Sequence, residues 1–369
     1  MTDQSQPLDL DADFCRARRE ALRAESRRVN CIGLLITDRG QLTRLFNYRA
    51  RDVFPAVGLI LTDGPAVLSV GTIGHEGRLH TDELRHFEPA FLFSLRPVTG
   101  DLALEPLMDL IPDGARLGLD GALPLPLVGR VEPVDMRPVL ARQKRRKDPD
   151  EIRLIEAAAA AGEAAFAAIE PMLVAGTREI DLFAAYQSAA ISAAGQQIGE
   201  LGNDYRGGAM GGAPRRDVLR DGDLIPIDTG VMIHGYHSDL CRTYPIGGEW
   251  SDAQLSAARR VTEAHDLALS LIAPGVSCSH VYHEVHRFLD GFEGHAFPTH
   301  LGHGIGLMPV ESPRLNPHWD DVFEEGDVFT LEPGLYSEDL RAGVRIENDY
   351  VLTEAGIRAL SDSASVLPD

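Results

Sequence analysis

The chain has 369 residues, enough for two domains, and its 44% hydrophobic and 25% charged residues are typical of a globular protein. Its formal net charge of −21 at pH 7 works against binding to nucleic acid or to an anionic membrane surface. No apolar run approaches the roughly 18 residues of a membrane span, and the polar N-terminus lacks the features of a signal peptide. We therefore expect a cytoplasmic protein with no membrane or nucleic-acid partner.

The cysteines argue against a thiolate zinc site or a disulfide framework. They are widely separated, and no two have the CxxC spacing. We expect all of them to be reduced structural thiols, as is usual in the cytoplasm. They are Cys15, Cys31, Cys241 and Cys278.

Residues 1–140 have the pattern of a smaller α/β domain. An amphipathic helix rich in Arg, Ala and Leu is predicted over residues 14–29. Short apolar runs follow at Cys31–Thr37, Gly58–Leu61 and Ala66–Val70, separated by turn residues, and are predicted to be strands.

A second domain is predicted over residues 148–369. The basic run Arg142–Lys147 precedes it, and we interpret this run as a solvated linker rather than a DNA-binding patch, because the chain is so acidic. Asp148 and Pro149 have the residue types of a helix cap and first turn, and the Ala- and Glu-rich helix after them extends to about residue 170. A second helix, Glu179–Ala194, is expected to pack on it.

The last part of the chain, from residue 200, is predicted to be mainly β-structure with helices at Asp252–Leu271 and Ser279–Leu289. Its glycines at Gly207–Gly212 are interpreted as a flexible pocket wall, since the Lys-Ser/Thr of a phosphate-binding loop is absent. The histidines of the second helix have helical spacing but no fourth ligand nearby, so they are expected on a solvated face. These are His280, His283 and His286.

Two acidic residues are predicted to share one face of a hairpin. A two-residue turn at His234-Gly235 would pair Ile233 with Tyr236 and, further along, place Asp239 opposite Gly230. Asp228 would then share the face of Asp239 because side chains alternate along a strand, with the two backbones roughly 7–8 Å apart. Carboxylates at that distance can converge on metal ions.

Three further candidate ligands follow in β-like or glycine-rich contexts. Glu332 ends an apolar run, Glu347 lies in a second one, and His303 stands between glycines that allow close backbone approach. Four carboxylates and one imidazole suit two divalent ions, which we expect to be Mn²⁺, with Co²⁺, Zn²⁺ or Fe²⁺ as alternatives. Two ions about 3.5–4 Å apart would form a hydrolytic centre.

The ligand motifs resemble those of the creatinase/methionine-aminopeptidase superfamily, and within it the Xaa-Pro peptidases, meaning prolidases and aminopeptidases P. The resemblance covers nearly the whole chain, more weakly before residue 140. It implies an α+β fold, with a pita-bread catalytic domain after a creatinase-type N-terminal domain that serves dimerisation and pocket closure. The matching motifs are Asp228-Thr229-Gly230, Gly235-Tyr236, Ser238-Asp239, Arg242-Thr243, Gly302–Gly306, Glu332-Pro333-Gly334 and Val344–Glu347.

The resemblance also implies roles for these residues. Asp228 would hold one ion, Asp239 and Glu347 would bridge both, and His303 and Glu332 would bind the other. Glu332 would also handle the proton of the attacking water, and Arg345 would orient a ligand carboxylate. The substrate would be a small peptide with proline after the scissile bond, and the subunits would form a homodimer.

Other residues stand where the family has histidines around the metal site. One such histidine belongs within or near Gly208–Arg216; the others belong at Thr299, four residues before His303, and at Val310, seven residues after it. In the family these histidines contact substrate or intermediate oxygens, so their absence affects the expected substrate specificity and not the expected metal binding. The loss of one such donor can cost about 2.7–4 kcal/mol of transition-state stabilisation.

Several residues are candidates to replace those histidines. His237 would share the metal-facing side of its strand with Asp239, and His300 lies three residues before His303, so both are candidate catalytic groups. Arg215 or Arg216 would bind a substrate carboxylate, against the alternative of a solvated basic pair. Arg49, in the loop 46–52, would close the pocket of a neighbouring subunit or serve only the dimer interface.

We expect a dipeptidase, a prolidase, because a compact chain offers little extended peptide groove. The alternatives are an Xaa-Pro aminopeptidase acting on longer peptides, a related small-amide hydrolase or lyase, and a catalytically silent pita-bread binding module. The retained ligand set disfavours the last of these, since a silent module would be expected to lose ligands.

Overall fold

A computed structural model of the chain describes residues 8–50, 54–89, 100–199, 202 and 204–361. It divides into two compact units, Met1–Lys144 and Arg145–Asp369. The division falls within the interval that the sequence left between its two predicted domains. Within the described ranges, no helix combines the length and the apolar character that crossing a membrane requires.

The first unit is a mixed sheet with helices. In chain order it contains α1 Ala12–Arg28, β1 Gly33–Ile36, α2 Arg39–Phe46, β2 Arg49–Ala50, β3 Ala56–Leu61, β4 Ala66–Gly71, β5 His75–Glu76, β6 Glu83–Phe87, α3 Gly100–Leu104, β7 Arg116–Leu119, β8 Glu132–Asp135 and α4 Arg137–Arg145, with 3-10 turns at Glu105–Leu110 and Leu125–Leu127. The first helix begins two residues before its predicted start because Asp11 caps it, accepting hydrogen bonds from the next residues' backbone.

The sheet of the first unit has the strand order β6-β4-β3-β1-β7-β8 and both parallel and antiparallel pairs. Its strands β1, β3 and β4 are buried on both faces, whereas the edge strands β6 and β8 are partly exposed. Leu34 and Ile36 of β1 point into one hydrophobic cluster, with Phe46 of α2, while Leu35 points into a second cluster with Leu104 of α3. Burial on both faces explains why these strands are continuous apolar runs rather than alternating ones.

The second unit combines helices with antiparallel strands. In chain order it contains α5 Pro149–Ile169, α6 Glu179–Ala194, β9 Leu224–Thr229, β10 Met232–Ile233, β11 Tyr236–His237, β12 Leu240–Pro245, α7 Asp252–Leu271, α8 Cys278–Leu289, β13 Gly302–Gly304, β14 Glu311–Leu315, β15 Val328–Leu331, β16 Gly334–Ser337, β17 Ala342–Arg345, β18 Asn348–Thr353 and β19 Gly356–Ala359, with 3-10 turns at Glu170–Met172 and Phe292–Gly294.

The helix predictions in this unit are confirmed. Asp148 and Glu151 form a reciprocal capping box and Pro149 occupies the first turn of α5. Helix α6 packs on α5, with the rings of Phe166 and Tyr186 edge to face at 5.2 Å. Helix α7 has the predicted bounds, and α8 begins one residue earlier than predicted because Ser277 caps it.

A five-stranded sheet with the order β14-β13-β15-β18-β19 forms the centre of the second unit. Helices α7 and α8 cover it, and their apolar residues share one hydrophobic cluster with the sheet; examples are Val261, Val285, Phe329 and Tyr350. This burial fixes the strands whose ends carry the functional groups described below.

The prediction of a solvated linker over Arg142–Lys147 is wrong. Arg145 donates from Nε to Asp327 Oδ1 at 2.7 Å, and Lys147 Nζ lies 3.1 Å from Glu311 Oε2. The side chains of Asp327 and Glu311 are only 1% and 3% exposed, so each acid is stabilised by a basic partner. Two cations of the basic run are therefore structural.

The expectation of a solvated histidine face on α8 holds only in part. His280 and His283 are exposed. The ring of His286, by contrast, lies 5.4 Å from that of Tyr282 and 5.9 Å from that of Phe297. It packs against aromatic rings because the apolar face of α8 extends to its position.

Candidate metal centre

The hairpin that carries two of the candidate ligands has the predicted register. Ile233 pairs with Tyr236 across a turn whose two central residues, His234 and Gly235, have φ of 52° and 88°, as a type I′ turn requires. The same register continues where Asp228 pairs with Cys241. Asp239 precedes Cys241 by two residues and therefore lies on the same face as Asp228.

Glu347 is brought to this face by a neighbouring segment. Its backbone forms an antiparallel bridge with Cys241, with N–O distances of 3.1 and 3.3 Å. Asp228 and Glu347 thus flank Cys241 on either side. Residues that lie opposite each other across strands project to the same face, so the two carboxylates can converge.

His303 and Glu332 come from the central sheet. Gly302, with φ of 152°, lets β13 approach closely, because a Cβ there would lie 2.1 Å from the carbonyl oxygen of Thr330. The Nδ1 of His303 is 3.1 Å from the carbonyl oxygen of Gly304. Its other ring nitrogen, Nε2, lies 3.5 Å from Glu332 Oε1 and is left to act as a ligand atom.

These residues form one continuous cluster. Sets of three ligand atoms lie within 4.8 Å of one another, and the sets share members. They are Asp228 with Glu332 and Glu347, Asp239 with His303 and Glu347, and His300 with His303 and Glu332. The structure therefore brings together all five residues predicted to bind metal, and adds His300.

The burial and charge of the cluster fit divalent cations. Both carboxylate oxygens of Glu347 are buried and have no hydrogen-bond partner among the residues that the structure describes. Burial raises the pKa of Glu347 well above its usual value, and the neighbouring Glu332 and Asp239 raise it further. Burial and Asp228 raise the pKa of Asp239 in the same way. Carboxylates that repel one another in a dry site are a donor set that hard or borderline cations satisfy.

Glu332 differs from the other carboxylates. Burial is the largest influence and would raise its pKa, but the close contact with His300, together with the charges of His303 and Arg345, outweighs burial and the pKa is lowered. His300 Nε2 lies 2.8 Å from Glu332 Oε1, and this contact raises the pKa of His300. The side chain of His300 is 48% exposed whereas that of Glu332 is 6% exposed. The pair therefore connects the buried cluster with solvent.

Arg345 is the buried cation of the site. Its Nη2 lies 2.8 Å from Asp228 Oδ2 and 3.0 Å from Asp204 Oδ2, and its Nη1 donates to Tyr336 Oη at 3.4 Å. Burial opposes the charge, but Asp228 and other neighbours hold the pKa of Arg345 well above its usual value. The contact with Asp228 is the geometry expected of a residue that orients a ligand carboxylate.

The other candidate residues lie outside these sets of ligand atoms. The Nδ1 of His237 is 3.0 Å from the carbonyl oxygen of Gly306. Arg215 donates to both oxygens of the buried Glu179, at 2.9 and 2.5 Å, and Arg216 is exposed. Arg49 forms an ion pair with Asp9 within the first unit. Residues 51 and 52 of the Arg49 loop lie outside the described residues.

At the positions where histidines were expected, the structure has three different environments. Gly207 to Met210 line a cavity of about 690 Å³. The hydroxyl of Thr299 is buried without a hydrogen-bond partner among the described residues, and Val310 is 51% exposed. The sequence interpretation missed Asp204, and its only local signal is its place just before the glycine-rich segment.

Comparison with known proteins identifies the family. Residues 153–354 match the family model of metallopeptidase family M24. The chain belongs to this family. All the candidate ligands lie within the matched region, so the chain is a metallopeptidase whose catalytic unit has the family's pita-bread fold.

Individual relatives of the M24 family agree with this assignment. The chain is 28% identical over 302 residues to the Xaa-Pro dipeptidase of Pyrococcus furiosus, spanning 78% of this chain and 85% of that protein. It is 32% identical over 240 residues to the probable dipeptidase PepE of Mycobacterium bovis, spanning 63% of each chain. The prolidase of Pyrococcus horikoshii has the same fold, with a TM-score of 0.76, 20% identity and coverage of 94% and 99% of the two chains.

Proposed function

We propose that this M24 protein hydrolyses the peptide bond between any residue and a following proline, with dipeptides as its preferred substrates. The convergence of four carboxylates with His303 in one cluster, of which His303, Glu332 and Glu347 are buried, carries the proposal. Similarity to the Pyrococcus furiosus Xaa-Pro dipeptidase over 85% of that protein supports the substrate class. A metal-dependent small-amide hydrolase or lyase is the alternative, because the residues around the cluster differ from those expected.

We assign two divalent ions to the cluster. Asp228, Asp239 and Glu347 would hold them together with His303 and Glu332. When bound, such ions supply Lewis acidity to the peptide carbonyl and acidify a water molecule. The mixed carboxylate and imidazole donors support Mn²⁺, with Co²⁺, Zn²⁺ and Fe²⁺ as alternatives. Arg345 keeps the carboxylate of Asp228 aimed into the cluster by its 2.8 Å contact.

Glu332 and His300 are assigned the proton transfers. Glu332 Oε1 can accept a proton from the attacking water, and His300 Nε2, 2.8 Å away, can take it towards solvent or return it to the leaving nitrogen of proline. The contact with Glu332 raises the pKa of His300, which favours its protonated form as the donor to the leaving nitrogen. His237 stays a second candidate donor.

The remaining proposals concern the cellular compartment, the oligomeric state and the arginines that would bind substrate. The four cysteines are buried and none is joined in a disulfide within the described part of the chain, which supports a reducing compartment, and we propose the cytoplasm. A homodimer is proposed from the family resemblance, with Arg49 near the dimer contact. Arg215 and Arg216 are kept as candidates for the substrate carboxylate, although the salt bridge from Glu179 to Arg215 limits the donors that Arg215 can offer.

The test combines metal analysis with substrate comparison. The protein, stripped of metal and reloaded with Mn²⁺, is assayed on Leu-Pro, Met-Pro, Leu-Ala and an Xaa-Pro-Xaa tripeptide. We expect two ions per chain and a kcat/KM for the proline dipeptides that exceeds that for the others by about tenfold or more. Two bound ions without cleavage of any proline peptide would favour the small-amide alternative, and a chain that binds no metal would indicate a silent binding module.

A further inference from the structure

Asp204 stands where the metal cluster meets the glycine-rich segment. Its backbone forms an antiparallel bridge with Asp228, with both N–O distances 3.1 Å. Its carboxylate has two partners on opposite sides: Oδ2 lies 3.0 Å from Arg345 Nη2, and Oδ1 accepts a hydrogen bond from the backbone N–H of Gly212 at 2.6 Å. One side chain thus joins a metal-site arginine to a loop.

The segment 205–212 is a loop closed at its base by Asp204. Besides the bond to Gly212 N–H, the N–H of Tyr205 donates to the carbonyl oxygen of Gly212 at 3.0 Å. Gly211 is required for this arrangement, because a Cβ there would lie 2.2 Å from Asp204 Oδ2. The glycine therefore makes room for the carboxylate that holds the loop.

The same loop forms one wall of the cavity of about 690 Å³. Another part of the wall is Tyr336, whose Oη accepts a hydrogen bond from Arg345 at 3.4 Å. Arg345 and Asp204 do not themselves line the cavity, but both contact its walls. Arg345 donates directly to Tyr336, and it reaches the loop through Asp204, which accepts the hydrogen bond from Gly212. Arg345 therefore lies between the cavity wall and the ligand Asp228.

We propose that Asp204 is a positioning residue that holds the loop 205–212 in the conformation that receives the peptide, and links it through Arg345 to the metal cluster. The inference rests on the proposed peptidase function. In this arrangement Asp204 acts on substrate affinity and not on metal retention. The 2.8 Å contact between Arg345 and Asp228 does not involve Asp204, so it should persist when Asp204 is removed, whereas the loop should lose the bond at its base.

The kinetic test compares Asp204→Ala, Asp204→Asn and Gly211→Ala with the wild type on Leu-Pro. Asp204→Ala should raise KM by about tenfold while kcat changes by less than about threefold, since binding is lost without loss of chemistry. Asp204→Asn keeps one oxygen for the loop and should raise KM less. Gly211→Ala displaces the carboxylate from the other side and should reproduce the alanine variant. Asp181→Asn, a change at an exposed pair with Arg178, is the matched control.

A second measurement does not depend on activity. Amide hydrogen exchange over 205–212 reports the loop directly, and loss of a charge-assisted hydrogen bond should speed exchange there by about tenfold or more in Asp204→Ala. Asp204→Asn should retain most of the protection. This readout stands even when no proline peptide is cleaved, so a failure of the proposed function and a failure of the positioning role give different results.

Three outcomes would overturn the positioning role. Unchanged KM together with unchanged loop exchange in Asp204→Ala would show that the contact positions nothing. A reduced metal content in that variant would make Asp204 a support of the ligands instead. A fall in kcat at constant KM would place its effect on the chemical step.

Discussion

Replacing Glu347 with glutamine should change stability in opposite directions with and without metal. Glu347 is 1% exposed, and within the described part of the chain neither of its carboxylate oxygens has a hydrogen-bond partner. Burial and nearby carboxylates raise its pKa well above the ordinary 4.5. A group whose folded pKa is raised favours folding at low pH and costs stability as pH rises above its unfolded pKa. At neutral pH the metal-free enzyme therefore bears a penalty that glutamine removes.

The size of both effects follows from burial and mass action. Each pH unit by which folding raises a carboxyl pKa costs about 1.4 kcal/mol at neutral pH, so metal-free Glu347→Gln should be more stable than the metal-free wild type by about 1–3 kcal/mol. Metal at about a thousand times its dissociation constant adds about 4 kcal/mol to the unfolding free energy of the wild type. Glu347 belongs to two of the sets of ligand atoms, so the glutamine variant should lose most of the stabilisation that metal gives the wild type.

Urea denaturation in EDTA and in excess Mn²⁺ gives the difference in unfolding free energy without and with metal, and mass spectrometry measures the metal content. Glu354→Gln removes an exposed carboxylate from the same region and should leave both curves unchanged. The reasoning fails if Glu347→Gln binds two ions with wild-type affinity, or if its metal-free form is less stable than that of the wild type.

Two further predictions concern buried groups away from the cluster. His265, held near Tyr350 Oη, has its pKa lowered by burial from 6.5 to about 4. As pH falls through 6.5, the imidazole therefore binds a proton in the unfolded chain but not yet in the folded one, which lowers the free energy of unfolding. Between pH 7.5 and pH 5 the metal-free wild type should lose about 2 kcal/mol more unfolding free energy than His265→Gln, measured by urea denaturation in EDTA. Equal losses would refute this. Lys147→Met should cost about 3–5 kcal/mol because it leaves Glu311 buried without its cation, and adding Glu311→Gln should recover most of that stability. If Lys147→Met alone unfolds at the same urea concentration as the wild type, this prediction is refuted.

The hairpin and its ligands could be predicted because the relevant information is local. The turn residues His234 and Gly235 set the register, and the period of two along a strand then places Asp228 and Asp239 on one face. The same holds for the start of α5, where the capping residue Asp148 adjoins the first turn. In each case the deciding contacts lie within a few residues of one another.

The contacts that sequence reasoning missed connect residues far apart in the chain. Arg145 and Lys147 are structural because Asp327 and Glu311, more than 160 residues later, are buried beside them. The carboxylate of Asp204 is held by a hydrogen bond from Arg345, which lies 141 residues away in the chain. Charged residues are usually exposed, and a single sequence does not indicate which of them will be buried in an ion pair with a distant partner.

The difference between paired strands and the loops around them explains why the metal ligands fit the family's pattern while the residues around the metal centre depart from it. The ligands lie on or beside paired strands, where register leaves little freedom for change. Thr299 and the glycine-rich loop lie outside the named strands, where a residue can change without disturbing any ladder. A histidine one position away, His300, reaches Glu332 at 2.8 Å from such a segment. Substrate preference in this enzyme should therefore respond to changes in these loops at constant metal content, and Asp204 is the point at which one of them is attached to the metal centre.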